Sequence, residues 1–359
     1  MINRERIVNT FCRLVDIESP SFGEQKLASY LSEVMSSLGF EVREDGAAGE
    51  IGGNSGNLIC DMRGTVEGPV MSFCCHMDRF GPGKVVDPVI REEHVESRGN
   101  TVLGADDAAG IAVIIEVLRL VKEENILHLP LRVFFTVAEE EGMQGARELP
   151  DSVLSATDFC YVLDGEGPVG NVITSSPYTY KINAEIQVDH GVKGVKIASR
   201  ALSRMDLQDT RGNRVAHVEV ARGGMARDIG PRMVELAGKV QSIRQEIVTR
   251  KLSHLRQVIS SAADKYGGEV KFDTERLYPG YYFPPESRIL RLLRQAGKVK
   301  FRRSEDGSDA NILNARGLPA VNLAVAVENT HTSGERIVIE DLVRLAELVV
   351  SIIKTGADY

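Results

Sequence analysis

The sequence predicts an α/β fold with a mostly parallel sheet, interrupted by an inserted α+β domain. Short apolar runs alternate with segments of helical periodicity, an order that is typical of parallel α/β sheets. The apolar runs are continuous, as expected for strands that are buried on both faces. Between residues 176 and 283 the order changes to βαββαβ, which can fold as a small sheet with two helices.

The first part of the chain supplies most of the predicted sheet. Residues 3–17 and 22–38 have helical spacing, and Ser21 followed three residues later by Glu24 matches the pattern of a helix N-cap. The next elements in order are strands over 57–62 and 69–75, a helix over 107–121, and strands over 131–137 and 159–164.

The inserted part has its own sequence of elements before the first pattern resumes. The insertion is predicted as strand 178–188, helix 192–205, strands 214–221 and 232–240, helix 244–266 and strand 269–275. The chain then returns to a strand over 318–327 and a last helix over 340–354. These elements predict a main domain formed by residues 1–175 and 284–359, and an inserted domain formed by 176–283.

Composition and charge restrict the class of protein. The chain has 359 residues, 43% hydrophobic and 26% charged, which is average for a soluble globular protein and allows two domains. The net charge of −8 argues against a general nucleic-acid binder. No apolar run reaches the ~18 residues of a membrane span, the N-terminus lacks a signal-peptide core, and the five cysteines do not suggest a disulfide framework. We expect a cytoplasmic protein that binds neither nucleic acid nor membrane.

Charge is also unevenly divided, at +6 for residues 176–283 and −14 for the remainder. Two interpretations remain open. The difference is either an uneven distribution of solvated surface charge, or a cationic inserted domain that faces an acidic, metal-loaded one.

Two acidic motifs follow the first strands. His76 ends an apolar run, and Asp78 lies on the same side of an extended chain, where it can accept the second imidazole N–H. The alternative is a hydrogen-bonded histidine at a strand end. In GADDAAG (104–110), Asp107 is interpreted as a helix N-cap and Asp106 as a side chain that projects away from the helix as a ligand.

Further polar residues also follow apolar strands, where ligand sites of open α/β sheets lie. Glu139 and Glu140 come directly after the strand over 131–137, Asp164 ends the strand over 159–164, and His331 follows the strand over 318–327. Two histidines with several carboxylates suit a pair of borderline metal ions, most simply Zn²⁺. The predicted set is His76, Asp106, Glu139 with Glu140, Asp164 and His331.

These motifs resemble the peptidase T-like family. That family belongs to a larger group of di-zinc exopeptidases and deacylases that includes carboxypeptidase G and succinyl-diaminopimelate desuccinylase. The matching motifs are HMD (76–78), TVLGADDAAG (101–110), FTVAEEEGMQGA (135–146), VLDGEG (162–167), GSDAN (307–311) and ENTHTSGERIVIEDL (328–342).

The resemblance implies two zinc ions bridged by Asp106 and by a water or hydroxide, with Co²⁺ or Mn²⁺ as alternative metals. One ion would take His76 and Asp164, and the other Glu140 and His331. Asp78 would orient His76, and Glu139 would be the general base.

The resemblance also implies that the inserted domain is a lid through which a homodimer forms. The lid is where this chain departs from the family. His190 is an imperfect substitute for the family's lid histidine, His217 replaces a lid asparagine, and Gln241 replaces an arginine that grips the substrate carboxylate. The candidate substrate-binding residues are His190 and His217 in the lid, together with Asn311 of the GSDAN motif outside it.

The function expected from these features is metal-dependent hydrolysis of an amide bond. The leading hypothesis is a peptidase T-like aminopeptidase that cleaves short peptides. The second is a deacylase of N-acyl amino acids that uses the same chemistry. The third is a non-catalytic metal-binding protein.

Overall fold

The computed structural model describes residues 1–81, 86–189, 191–208, 215–223 and 233–358. They form two compact units, one from Met1–Ser175 with Phe283–Tyr359 and one from Ser176–Tyr282. The described helices are α1 (Arg4–Asp16), α2 (Gln25–Leu38), α3 (Ala47–Ile51), α4 (Ala105–Glu123), α5 (Gln144–Glu148), α6 (Asp151–Leu154), α7 (Gly191–Leu202), α8 (Gln245–Tyr266), α9 (Arg288–Ala296), α10 (Asp309–Ala315) and α11 (Ile339–Ala357).

The strands of both units are short, apart from three in the second unit that reach ten or eleven residues. They are β1 (Glu41–Glu44), β2 (Leu58–Met62), β3 (Met71–His76), β4 (Pro88–Ile90), β5 (His94–Ser97), β6 (Leu131–Thr136), β7 (Phe159–Gly165), β8 (Asn171–Ser176), β9 (Tyr178–Val188), β10 (Ala216–Gly223), β11 (Met233–Ser242), β12 (Gly268–Tyr278), β13 (Tyr281–Tyr282), β14 (Lys300–Arg303), β15 (Ala320–Ala324), β16 (Val327–Glu328) and β17 (Arg336–Val338).

The main sheet of the first unit has the order β1-β2-β6-β3-β7-β15-β8, and β14 pairs with β8. Strands β6, β3, β7 and β15 pair in parallel, whereas β1 and β2 are antiparallel to their neighbours. Every residue of β3 and of β6 is buried, which explains why both are mostly apolar and do not alternate strictly between apolar and polar residues. The predicted α/β fold with a mostly parallel sheet is confirmed.

Helices complete the core of this unit. Helix α4 packs against α1 and α11 and also against β3 and β7. It is buried along nearly its whole length, so its apolar residues are not confined to one face. A second small sheet in the order β16-β17-β5-β4 was not predicted, because its strands have only two to four residues.

The second unit contains a four-stranded antiparallel sheet in the order β10-β11-β9-β12. Helices α7 and α8 pack against each other and on this sheet. The elements appear in the βαββαβ order that the sequence predicted. No described helix of either unit is long and apolar enough to span a membrane.

The prediction that Ser21 is the N-cap of the second helix is wrong. Helix α2 begins at Gln25, and Glu24 occupies the N-cap position. Phe22 has a left-handed φ of 65°, and the N–H of Gly23 donates to Pro20, so this segment forms a tight turn before the helix. The hydroxyl of Ser21 instead donates to Asp78 Oδ2 at 2.7 Å.

Candidate active site

The carboxyl ends of neighbouring parallel strands bring the predicted site residues together. His76 is the last residue of β3, Asp164 lies near the end of β7, and Glu139 follows β6. Because β6, β3 and β7 are adjacent and parallel, these residues leave the sheet at one edge. Asp106 lies at the start of α4, and His331 lies in the connection between β16 and β17.

Asp106 is the centre of the cluster. Its Oδ1 lies 3.1 Å from His76 Nε2, and its Oδ2 lies 3.3 Å from His331 Nε2. His331 Nε2 also lies 2.8 Å from Glu140 Oε1. His76, Asp106 and Glu140 each offer a ligand atom, and these atoms all lie within 4.8 Å of one another. The two oxygens of one carboxylate thus face two imidazoles.

Asp78 holds the loop that carries the two glutamates. It is 1% exposed, and its Oδ1 and Oδ2 accept the backbone N–H groups of Glu139 at 2.9 Å and of Glu140 at 3.2 Å. His76 Nδ1 lies 2.9 Å from the main-chain oxygen of Asp78 and 3.4 Å from its Oδ1. Asp78 therefore contacts both the histidine and the segment that follows β6.

Two acidic residues have contacts that the sequence did not reveal. Asp107 is the N-cap of the regular part of α4, as predicted, because the backbone at Asp106 and Asp107 is not helical and the regular helix begins after it. Its buried carboxylate accepts from the N–H of Gly110 at 3.0 Å and from the N–H of His76 at 3.3 Å. Asp107 thus fixes the start of α4 against the end of β3.

Glu335 is the other residue of this kind, at 1% exposure. One carboxylate oxygen accepts the N–H of Ala105 at 2.5 Å, and the other accepts the N–H of His331 at 3.0 Å. It therefore connects the backbone beside Asp106 with the backbone of His331. The only sequence signal was an acidic residue four positions after the histidine.

The ring of Phe80 stacks on the imidazole of His331, with centroids 4.3 Å apart.

The pKa values of the cluster residues are shifted in the directions expected for a site with excess negative charge. Hydrogen bonds to Asp106 and Glu140 raise the pKa of His331 to about 10. Burial alone would lower the pKa of His76, but the carboxylates of Asp106 and Asp78 outweigh burial and raise that pKa well above its ordinary value. Burial raises the pKa of Asp164, and the charges of Asp106 and Glu139 add to the effect.

Glu139 shows the same effect, since burial raises its pKa and the charges of Asp309, Asp78 and Glu140 add to it. Acidic side chains therefore outnumber the two imidazoles in a largely buried space, where unpaired charges are costly. Nitrogen and carboxylate donors around such an excess of negative charge fit a divalent metal ion.

Of the candidate substrate-binding residues, the structure describes His217 and Asn311. His190 is outside the described residues. His217 lies on β10 of the second unit, with its Nε2 2.9 Å from Glu219 Oε1. Asn311 is 1% exposed and closes a capping box with Ser308 at the start of α10. Gln241 lies on β11 opposite Thr179 of β9. Roles of these residues in substrate binding stay predictions.

Comparisons with known proteins agree on one family. The model of peptidase family M20/M25/M40 matches residues 76–355. The chain is 34% identical to "Uncharacterized protein YqjE" of Bacillus subtilis, over 99% of this chain and 100% of that protein. Its fold matches the crystal structure of aminopeptidase PepT from Bacillus cereus with a TM-score of 0.92, over 99% of each chain. The two sequences are 33% identical. A tripeptidase structure from Staphylococcus aureus is also 33% identical, with a TM-score of 0.94 over 100% of both chains.

Proposed function

The chain belongs to peptidase family M20/M25/M40, and on that premise we propose that it is a zinc-dependent aminopeptidase of short peptides. Family membership makes it a hydrolase of peptides. The observation that carries the proposal is the placement of Asp106 between His76 and His331, with Glu140 beside them. The likeness to an aminopeptidase and a tripeptidase supports the substrate class.

We assign the metal ligands as in the sequence prediction. His76 and Asp164 would hold one Zn²⁺, Glu140 and His331 would hold the other, and Asp106 would bridge them. When bound, such ions polarise the scissile carbonyl and lower the pKa of a water molecule towards ~7. The contacts of Asp106 with both imidazoles support its role as the bridge.

Glu139 is the proposed general base. Its backbone is fixed by Asp78, and it lies next to Glu140 at the carboxyl end of β6. It would take a proton from the attacking water through its carboxylate and then donate that proton to the nitrogen of the leaving amine. Asp78 contributes by holding the backbone of both glutamates rather than by contacting the substrate.

The substrate class can be tested with three related compounds. Trialanine should be hydrolysed with release of its N-terminal residue, because the −14 charge of residues outside 176–283 favours a cationic α-amino group. N-acetyl-trialanine and N-acetylalanine should be poor substrates of the same Zn²⁺-loaded protein. Product analysis by mass spectrometry identifies the bond that is cleaved. Faster turnover of N-acetylalanine than of trialanine would support the deacylase hypothesis instead.

We also propose that the protein acts in a reducing compartment, the cytoplasm. All five cysteines are free thiols, and four of them are buried. Free buried thiols persist where the thiol–disulfide balance keeps them reduced.

The second unit is the proposed dimerisation domain. Among the described residues, β12 pairs with β9 on one side and with no strand on the other. Over residues 268–276 this open edge offers a row of backbone groups for pairing with another chain. The open edge of β12 therefore supports a homodimer formed through this unit.

Proline substitutions on β12 test this proposal. Successive N–H groups of a strand point to opposite sides, so one of Asp273→Pro and Thr274→Pro removes a donor from the open edge. The other removes a donor from the ladder with β9. We expect wild type to be dimeric by light scattering. The variant that loses the donor at the open edge should be monomeric, with little loss of thermal stability. A monomeric wild type, or a dimer that both variants retain, would exclude pairing at this edge.

A further inference from the structure

Four consecutive backbone N–H groups, in the segment 137–140, each donate to a side-chain oxygen from another part of the chain. Three acceptor residues supply these oxygens, and they come from three separate regions of the first unit. Val137 donates to Asn57 Oδ1 at 3.1 Å, Ala138 to Glu24 Oε1 at 2.9 Å, Glu139 to Asp78 Oδ1 at 2.9 Å, and Glu140 to Asp78 Oδ2 at 3.2 Å. The backbone of the segment is thus fixed residue by residue.

Ala138 is the position where the backbone most needs this support. It is fully buried and has a φ of 48°, in the left-handed region that residues with a side chain rarely adopt. Such a conformation persists only where the surrounding structure determines it. Ala138 immediately precedes Glu139, so its backbone angles set the direction in which the Glu139 side chain leaves the strand.

Glu24 is the residue that holds Ala138. One of its oxygens, Oε1, accepts from the N–H of Ala138 and from the N–H of Phe22, both at 2.9 Å. Glu24 is 0% exposed, and its Oε2 has no hydrogen-bond partner among the described residues. A buried carboxyl group with one unpartnered oxygen is unfavourable for folding. A glutamate at this position therefore calls for a role besides stability.

We propose that Glu24 is a positioning residue for Glu139, acting through the backbone of Ala138. This inference rests on the proposed role of Glu139 as general base. Glu24 lies in the turn between α1 and α2, and the same turn contacts the end of β3 through Ser21 and Asp78. One short segment before α2 thus fixes the loops after both β3 and β6.

Two substitutions separate the acceptor from the charge of Glu24. Glu24→Met fills a similar volume but leaves the N–H groups of Ala138 and Phe22 without their acceptor. Glu24→Gln keeps a carbonyl oxygen for both and removes only the charge. Burial raises the pKa of Glu24 to about 7, so the native protein already accommodates an uncharged side chain at this position. We expect Glu24→Gln to keep kcat within a few-fold of wild type.

Glu24→Met should lower kcat for trialanine by about 10²-fold, the usual cost of a ~1 Å misplacement of a catalytic group. The KM should change little, because Glu24 does not contact the substrate. Metal content at saturating Zn²⁺, measured by elemental analysis, should equal that of wild type. If Glu24→Met does not fold, Glu24→Asp takes its place in the experiment. The shorter side chain moves the carboxylate away from the N–H of Ala138, so we expect the same fall in kcat.

Glu116 provides a matched control for general destabilisation. It is also 0% exposed, and its carboxylate accepts from the N–H of Asn3 and pairs with Arg6, in contacts that do not include the cluster around Asp106. Glu116→Met should lower thermal stability as Glu24→Met does, but it should leave kcat unchanged. Only a positioning role at Glu24 predicts that kcat falls in Glu24→Met and stays close to the wild-type value in Glu24→Gln.

The inference is overturned if folded Glu24→Met keeps wild-type kcat, if Glu24→Gln loses as much as Glu24→Met, or if excess Zn²⁺ restores the loss. Glu139→Gln, assayed in parallel, distinguishes this failure from failure of the proposed function. If Glu139→Gln is inactive and Glu24→Met is fully active, only the positioning role is wrong. If Glu139→Gln is fully active, the assignment of the base is wrong.

Discussion

Glu139→Gln is expected to lower kcat for trialanine by about 10²–10⁴-fold, the usual weight of general acid–base catalysis. The substitution keeps the shape of the side chain and removes the carboxylate that would accept a proton. The N–H of residue 139 still donates to Asp78, so the loop should keep its position. Steady-state kinetics give kcat, and elemental analysis should find as much bound metal as in wild type.

Glu140→Gln is the matched comparison, because it makes the same change in the adjacent residue. Glu140 Oε1 lies 2.8 Å from His331 Nε2, within the proposed ligand set. This variant should lose bound metal as well as activity. Wild-type turnover in Glu139→Gln, or equal metal loss in both variants, would contradict the separate roles assigned to the two glutamates.

The location of the site could be predicted because the candidate residues directly follow the strands, whereas the separate roles of the two glutamates are implied only by the resemblance to the peptidase T-like family. Continuous apolar runs identify β3, β6 and β7 as strands buried on both faces, and parallel strands align their carboxyl ends. Polar residues that come directly after such runs must then gather at one edge. The sequence thus predicted the α/β fold and drew attention to His76, Glu139, Glu140 and Asp164.

The supporting contacts could not be predicted in this way. Glu335 reaches Ala105 across 230 residues, and Glu24 reaches Ala138 across 114. In each case a side chain accepts from a backbone N–H group, and every residue except proline offers such a group, so the sequence of the partner carries no signal. Ser21 is instructive, because its hydroxyl matched a local N-cap pattern but bonds to Asp78 instead.

The removal of Asp106 is expected to have the largest effect on the site. Asp106→Asn keeps the size of the side chain, but it replaces one carboxylate oxygen with an amide NH2 group. That group only donates hydrogen bonds and cannot bind a metal ion. Because the two oxygens of Asp106 face His76 Nε2 and His331 Nε2, both halves of the proposed metal site should be affected. We expect the variant to bind less than one metal ion per chain at Zn²⁺ concentrations that saturate wild type.

The loss of kcat in Asp106→Asn should exceed the ~10²–10⁴-fold expected for Glu139→Gln. Glu139→Gln removes one proton acceptor and leaves the metal in place, whereas Asp106→Asn removes the electrostatic stabilisation that metal ions supply as well as the low pKa of the attacking water. Wild type treated with a chelator provides the control, since added Zn²⁺ should restore its activity. Added Zn²⁺ should not restore Asp106→Asn, because the ligand itself is missing. Two tightly bound ions per chain in Asp106→Asn would show that this carboxylate is not the bridge, and the two histidines would then belong to separately held ions.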